Sequence, residues 1–317
     1  GISALVIAFT MYPLTLAVFK RANMPRRLIP GAIAAGCFTF AAAALPGTPQ
    51  TLNVTPIPYL GTTVTAGAAI GIICGIIGIV MICVYMYWEA ARARAAGDGF
   101  VADTATLETM ARADEMGANI NPFVALIPIL VIIVLLVGLQ INVLISMLAG
   151  SLVCVLLFFK NVKNVSGLLG DSIQSATNAA ITTGCIVGYG SVVSASTGYA
   201  TLSAALLSLD APPLISYGLT TTILAGAAGS GTGGLAIALE NLAPQYLAMG
   251  IPAELLHRIG CLSAIGLDSL PHCGAVVVLL TLAGMTHKDS YKQIFVTTVV
   301  ITLIVAAIGI ALATIMY

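Results

Sequence analysis

Charge is scarce in this chain. Only 12 of its 317 residues are basic and 12 acidic, 8% in all, against 59% apolar. A soluble domain needs far more charge to cover its surface, so the composition excludes one and places the chain in a bilayer. A mean hydropathy of +1.06 agrees. The charges also balance, which gives no basic excess for a nucleic-acid partner. The seven cysteines are odd in number, scattered through apolar runs and without CxxC spacing, so neither a disulfide framework nor a zinc site is expected. Histidine is scarcer still. His257, His272 and His287 recur every fifteen residues, off helical register, and no metal centre is expected from them. HExxH, GxSxG and GK[ST] are missing, which removes the usual marks of a metalloprotease, a serine hydrolase or a nucleotide loop. No signal peptide is visible, and Gly1 already lies inside an apolar run, as expected of an N-terminally incomplete sequence.

Long apolar runs are what the chain has instead. A membrane helix needs about 20 such residues. Candidates are 2–19, 28–45, 64–87, 123–139, 141–159, 213–248, 257–284 and 293–317, with 213–248 and 257–284 interrupted. A polar linker with six acidic and three basic residues runs between Trp88 and Asn121. It divides the chain into 1–87, the linker 88–121 and 122–317. The stretch 172–209 is rich in hydroxyls, amides and glycine and does not fit a plain span. It reads as a re-entrant hairpin turning at 188–198, a backbone tolerated at membrane depth only where protein or a water-filled cavity satisfies it. With that hairpin, loops 20–27, 88–121, 160–165 and 285–292 share one side and hold eleven of the twelve basic residues, all but Arg258. The positive-inside rule makes this side cytoplasmic and the C-terminus external.

The chain also resembles itself. MPRRLI at 24–29 matches IPAELL at 251–256, LPGTPQ at 45–50 matches LPHCGA at 270–275, and Gly61 with Thr62 corresponds to Gly284 with Thr286. The order is kept, while the charge count puts the matched loops on opposite sides. The expected fold class is therefore an all-α polytopic membrane protein built as an inverted-repeat secondary transporter, with broken helices and a re-entrant hairpin. Residues 1–87 would be the C-terminal part of the first repeat and 122–317 the second. About a hundred residues are then expected upstream of Gly1.

Polar groups inside the apolar runs are the candidates for chemistry. Asp268 and His272 lie four apart around Pro271, which breaks the helical hydrogen-bond ladder. A charge at that depth costs about 2.5–3.5 kcal/mol, so substrate contact or proton relay is the expected role, a structural pair the competing one. The run 225–244 holds Ser230, Gly231 and Thr232 among further glycines. An unwound turn there would aim the positive end of the following half-helix at an anion, whereas close packing through small residues is the alternative. Glu240, beyond the glycines, reads equally as a proton site or as an interfacial pair. Thr48, Gln50 and Asn53, in the match to 270–275, would line a cavity or a surface loop. Ser194 and Thr197 offer neutral hydrogen-bond donors at the hairpin turn.

Three segments, LPGTPQTLNVTPIPYLGTT, GSGTGGLAIALENLAP and above all GLDSLPHCGAVVVLLTLAGMTHKDSYK, resemble the gluconate permease (GntP-type) family of proton symporters. The similarity runs from about Met24 to the C-terminus. It implies a multi-pass protein of the bacterial inner membrane within the ion-transporter superfamily, often a homodimer, with no cofactor. It also implies import of gluconate-like sugar acids, glycerate- or hydroxybutyrate-like hydroxy acids, or D-serine, coupled to protons, with sodium the alternative ion. Members are longer at the N-terminus. Cys273 departs from the pattern, which has a polar residue, often Asn, after the histidine. On this basis Ser230, Gly231 and Thr232 would hold the carboxylate, while Thr48, Gln50, Asn53, Ser194 and Thr197 would close the cavity. Asp268 and His272 would bind hydroxyls or carry the proton, a role Glu240 could share.

Overall fold

In hydrocarbon an apolar run has to satisfy its own backbone, and the helix does so within one segment. The computed structural model describes residues 4–316 apart from 44, 49, 105, 109, 112–120, 140, 162–164, 209 and 210. These residues form helices and turns, with no strand among them. Arg112 and Lys163, two members of the basic set, lie outside the described residues, as does the side chain of Ser194.

The first helices are α1 (Ala4–Arg21), α2 (Ile29–Cys37), α3 (Phe40–Ala43), α4 (Thr51–Val54), α5 (Ile57–Leu60) and α6 (Ala68–Ala95). Next come α7 (Pro122–Ile133), α8 (Val143–Phe158), α9 (Val165–Ser194) and α10 (Thr197–Leu207). The last are α11 (Pro213–Ala228), α12 (Gly231–Ala248), α13 (Ala253–Ala264), α14 (Gly274–Leu282) and α15 (His287–Met316). α6 and α15 are long and apolar enough to cross a membrane in one piece. α15 carries a π turn at Val296–Val300. The described residues form two compact units, 102–183 on one hand and 2–101 with 184–317 on the other. In the first, α7 packs against α8, and Asn121 and Asn142 cap their N-termini. Residues 184–317 thus group with 2–101 rather than with the remainder of the anticipated second half.

Three expectations change. The run 28–45 is not one helix: α2 stops at Cys37, where Phe38 leaves helical geometry and Thr39 Oγ1 turns back onto the Ala35 carbonyl. Only the four residues of α3 follow. The linker does not begin at Trp88, because α6 continues to Ala95. Its last turns are Ala and Arg, good helix formers that suit the negative C-terminal end, and Arg92 stacks over the Trp88 ring at 5.2 Å. The anticipated hairpin turn at 188–198 is helical up to Ser194, so its first arm is the 30-residue α9. No proline interrupts 165–194, and glycine alone does not end a helix. The chain bends only at 195–196, where Ser196 accepts the Tyr199 N–H as the N-cap of α10.

The larger unit is organised around α11, α12, α13 and α15. Tyr217, Leu235, Leu239, Leu256, Ile259 and Leu262 are fully buried there. α11 and α12 approach to backbone contact, since a Cβ on Gly234 would lie 2.2 Å from the Ala225 nitrogen. The first half of α15 packs on α2 and the second half on α6 and α13.

Candidate functional site

Two helix breaks meet in this unit. The first is short. α11 ends at Gly229, whose φ of +60° is a left-handed conformation that glycine adopts without strain. Ser230 follows in extended geometry as the N-cap of α12, its Oγ accepting the Gly233 N–H at 3.2 Å. Only these two residues leave the helix, so the glycine run is much less unwound than the sequence implied. Its other glycines admit close neighbours: a Cβ on Gly226 would lie 2.6 Å from Leu267 Cβ. The run thus combines close packing at Gly226 and Gly234 with a helix start at Gly231.

The second break, Ile265–Cys273, separates α13 from α14 around Pro271. Carbonyls in it and in the last turn of α13 find partners on other helices. Thr222 Oγ1 donates to Ser263 O at 2.8 Å, the Tyr291 hydroxyl to Ser269 O at 3.1 Å, and His287 Nε2 to Pro271 O at 2.9 Å. Asp268 Oδ1 accepts from Ser269 Oγ at 2.9 Å. Asp268 Oδ2 sits at the first turn of α12, 2.8 Å from where a Gly231 Cβ would be. The N–H groups of Gly231 and Thr232 are the first of that helix and have no intrahelical acceptor. The protein's own carboxylate therefore lies beside the first turn of α12, the end of a helix that favours anions. His272 lies against Gly229 and donates from Nε2 to Gly226 O at 3.0 Å.

Ser230, Gly231, Asp268 and His272 thus come together, with Thr232 in the same first turn. Leu52 of α4 approaches the same spot, 3.4 Å from the Gly231 Cβ position. The other expected residues fare differently. Asn53 is fully buried, donates to Thr48 O and Val64 O at 2.8 Å each, and lies with Oδ1 3.2 Å from His257 Nε2. Its amide is thus engaged within the protein, bracing α4 against the loop after α5 and against α13. Thr48 is half-buried and bonds Leu45 O, and Gln50 is half-buried at the start of α4. Thr197 is exposed in the first turn of α10, and Ser194 ends α9. Glu240, expected as a proton site or an interfacial pair, is exposed on α12, nine residues past Gly231 and about 13 Å along the axis.

The charge count left Arg258, next to His257, as the one basic residue off the shared side. Both are fully buried. Arg258 donates to the carbonyls of Ala43 (2.8 Å), Val64 (3.3 Å) and Ala66 (2.7 Å), and Thr62 Oγ1 lies 2.7 Å from His257 Nδ1. Together they clamp the start of α13 onto the loops flanking α4 and α5. The available signal was Arg258 itself, the single basic residue off the cytoplasmic side. Glu89, counted as linker, is likewise buried, accepting from Gln293 Nε2 at 3.3 Å with Lys292 and Arg92 3.7 and 3.6 Å away.

Apolar helices, two of them long enough to cross a membrane, and two breaks meeting at a carboxylate fit a helical membrane transporter. Comparison with known proteins agrees on the class. The chain is 31% identical to the uncharacterized transporter YxjC of Bacillus subtilis (strain 168), over 97% of this chain and 74% of that protein. It belongs to that family of transporters. No protein-family model and no solved structure matches the chain.

Proposed function

We propose that the protein is a proton-coupled symporter that imports a small hydroxylated carboxylate across the bacterial inner membrane, in the manner of the gluconate permeases whose motifs it resembles. Gluconate-like sugar acids, glycerate- or hydroxybutyrate-like acids and D-serine are the candidate substrates. The observation that carries the proposal is the seat of Asp268 at the N-terminal turn of α12. While Asp268 is ionised, its own charge holds the anion-favouring position. A second carboxylate at about 4 Å would meet roughly 4 kcal/mol of repulsion at an effective dielectric of about 20, close to a thousandfold in affinity. A proton on Asp268 removes that repulsion and turns the group into a donor. The substrate carboxylate can then take the N–H groups of Gly231 and Thr232, while His272 offers Nδ1 to a hydroxyl. Proton and anion bind together and leave together, which is symport.

Sodium is the alternative coupling ion, since unwound carbonyls can hold it. Here the carbonyls of Ser263, Ser269 and Pro271 already accept side-chain donors, and Leu270 O accepts the Cys273 N–H, which favours the proton. The inverted-repeat plan has support in the order of elements. Each half runs from a Pro-led short helix through a break and a shorter helical stretch to a glycine at φ +64°, then to a long helix, α6 or α15. The contacts also exchange, α1 touching α14 as α12 touches α4 and α5.

The test is uptake by the full-length protein in sodium-free liposomes under an inward proton gradient, with D-gluconate, D-glycerate, D-3-hydroxybutyrate and D-serine as probes. Accumulation abolished by a protonophore is expected. Accumulation that needs sodium would reassign the coupling ion, and no accumulation of any probe would refute carboxylate symport. The homodimer that the resemblance implies is checked by mass measurement of the purified protein in detergent.

A further inference from the structure

The break that carries Asp268 and His272 is held from outside its own helices. Two of its carbonyls are taken by one helix: His287 Nε2 donates to Pro271 O at 2.9 Å and the Tyr291 hydroxyl to Ser269 O at 3.1 Å. These residues lie four apart at the start of α15, hence on one face. Their rings pack at 5.6 Å between centroids, and Tyr291 packs on Phe295 at 6.0 Å. The start of α15 is itself fixed. Thr286 and Asp289 form a capping box, Ser290 Oγ donates to Arg27 O at 2.6 Å, and Gln293 bonds Glu89 at the end of α6. Ser269, whose carbonyl Tyr291 holds, is also the residue whose hydroxyl bonds Asp268. A short path therefore runs from the first two turns of α15 to the carboxylate.

We propose that His287 and Tyr291 are positioning residues for the transport site. They hold the segment 268–272 against the first turn of α12 and tie its geometry to the ends of α2 and α6. The proposal rests on the reading of Asp268 and His272 as the transport site, but the hold on the break can be measured without any substrate. Cys273 adjoins the break and is 7% exposed, whereas Cys261 on α13 is fully buried. The pair gives a probe and its internal control.

The experiment is alkylation of the full chain in detergent by N-ethylmaleimide, with Cys273 and Cys261 followed separately by peptide mass spectrometry. Tyr291→Phe keeps the ring contacts and loses one hydrogen bond. His287→Leu loses the other, and His287→Gln keeps a donor at similar reach. Losing one such bond should raise Cys273 alkylation about threefold to tenfold in Tyr291→Phe and His287→Leu, with Cys261 unchanged and His287→Gln close to the parent. Unchanged Cys273 in both deletion variants would overturn the proposal. So would a parallel rise at Cys261, which would make the two residues general supports of the fold. If D-gluconate is carried, its KM should rise in the same two variants and recover in His287→Gln. Failure of the parent to carry any of the four probes would refute the transport reading while leaving the alkylation result standing.

Discussion

Replacing Asp268 with Asn removes one ionisable proton and little volume. An amide can keep the Ser269 hydrogen bond through its oxygen, while its nitrogen takes the place of Oδ2 beside Gly231. Two properties should separate. Coupling should disappear, because no group at the end of α12 can exchange a proton with the substrate's arrival. Binding should survive and lose its pH dependence, since the repulsion of roughly 4 kcal/mol that an ionised Asp268 imposes is gone at every pH. In the parent, affinity should fall as pH rises and Asp268 ionises, by up to about a thousandfold. In Asp268→Asn it should stay near the low-pH value. The assay pairs gradient-driven accumulation with counterflow exchange, both in liposomes over a series of pH values. Loss of accumulation with retained, pH-flat counterflow is the expected result. Proton-driven accumulation in Asp268→Asn with the parent's pH profile would refute the coupling scheme and leave Asp268 a structural role.

Other variants probe the rest of the site and the fold. Gly231→Ala puts a Cβ 2.8 Å from Asp268 Oδ2 and 3.0 Å from the Ala264 carbonyl, so it should cost about 1–3 kcal/mol in a thermal melt and abolish transport. Ser230→Ala removes the N-cap of α12 at a cost of about 1 kcal/mol, readable as a lower midpoint in the same melt. Asn53→Ala removes one donor each from Thr48 O and Val64 O and one partner from His257, and should destabilise by about 1–3 kcal/mol, while substrate affinity in the folded fraction stays at the parent value; a selective loss of affinity would make Asn53 a substrate ligand. A cysteine at the exposed Ala96, just past α6, should resist an impermeant maleimide added to intact cells, and ready labelling would invert the proposed topology.

Both breaks were legible in the sequence because they are written in residues that disturb a helix locally: Pro271, Gly229 and Ser230, and a carboxylate that hydrocarbon will not accept unpaired. Which glycines unwind was not legible. A glycine that admits a neighbour, such as Gly234 against Ala225, has the same letter as one that turns the chain, such as Gly229. Depth along a run was the second blind spot. Arg258 and Glu89 lie near the ends of apolar segments, where charge normally reaches water, and only tertiary partners far along the chain bring them inside. Length misled at α9, where polar composition argued for a turn although nothing in 165–194 forbids a continuous helix.

The π turn of α15 has a consequence for how that helix tolerates change. Such a turn holds one residue more than the α-helical turn it replaces, and each helical residue rotates the chain by about 100°. Upstream, α15 presents His287 and Tyr291 to the break and Gln293 to Glu89. Downstream, Gly309 admits Leu262 of α13 and Cys74 of α6, and Val305 O lies 3.8 Å from the Cys74 thiol. Removing one residue between 296 and 300 would let the wide turn close to an α-helical one and leave the surfaces on either side in register, because the extra residue is what that turn absorbs. α15 thus carries a spare residue at its middle, and a single-residue deletion there should be better tolerated than one elsewhere in the same helix, where every downstream side chain would swing by about 100°.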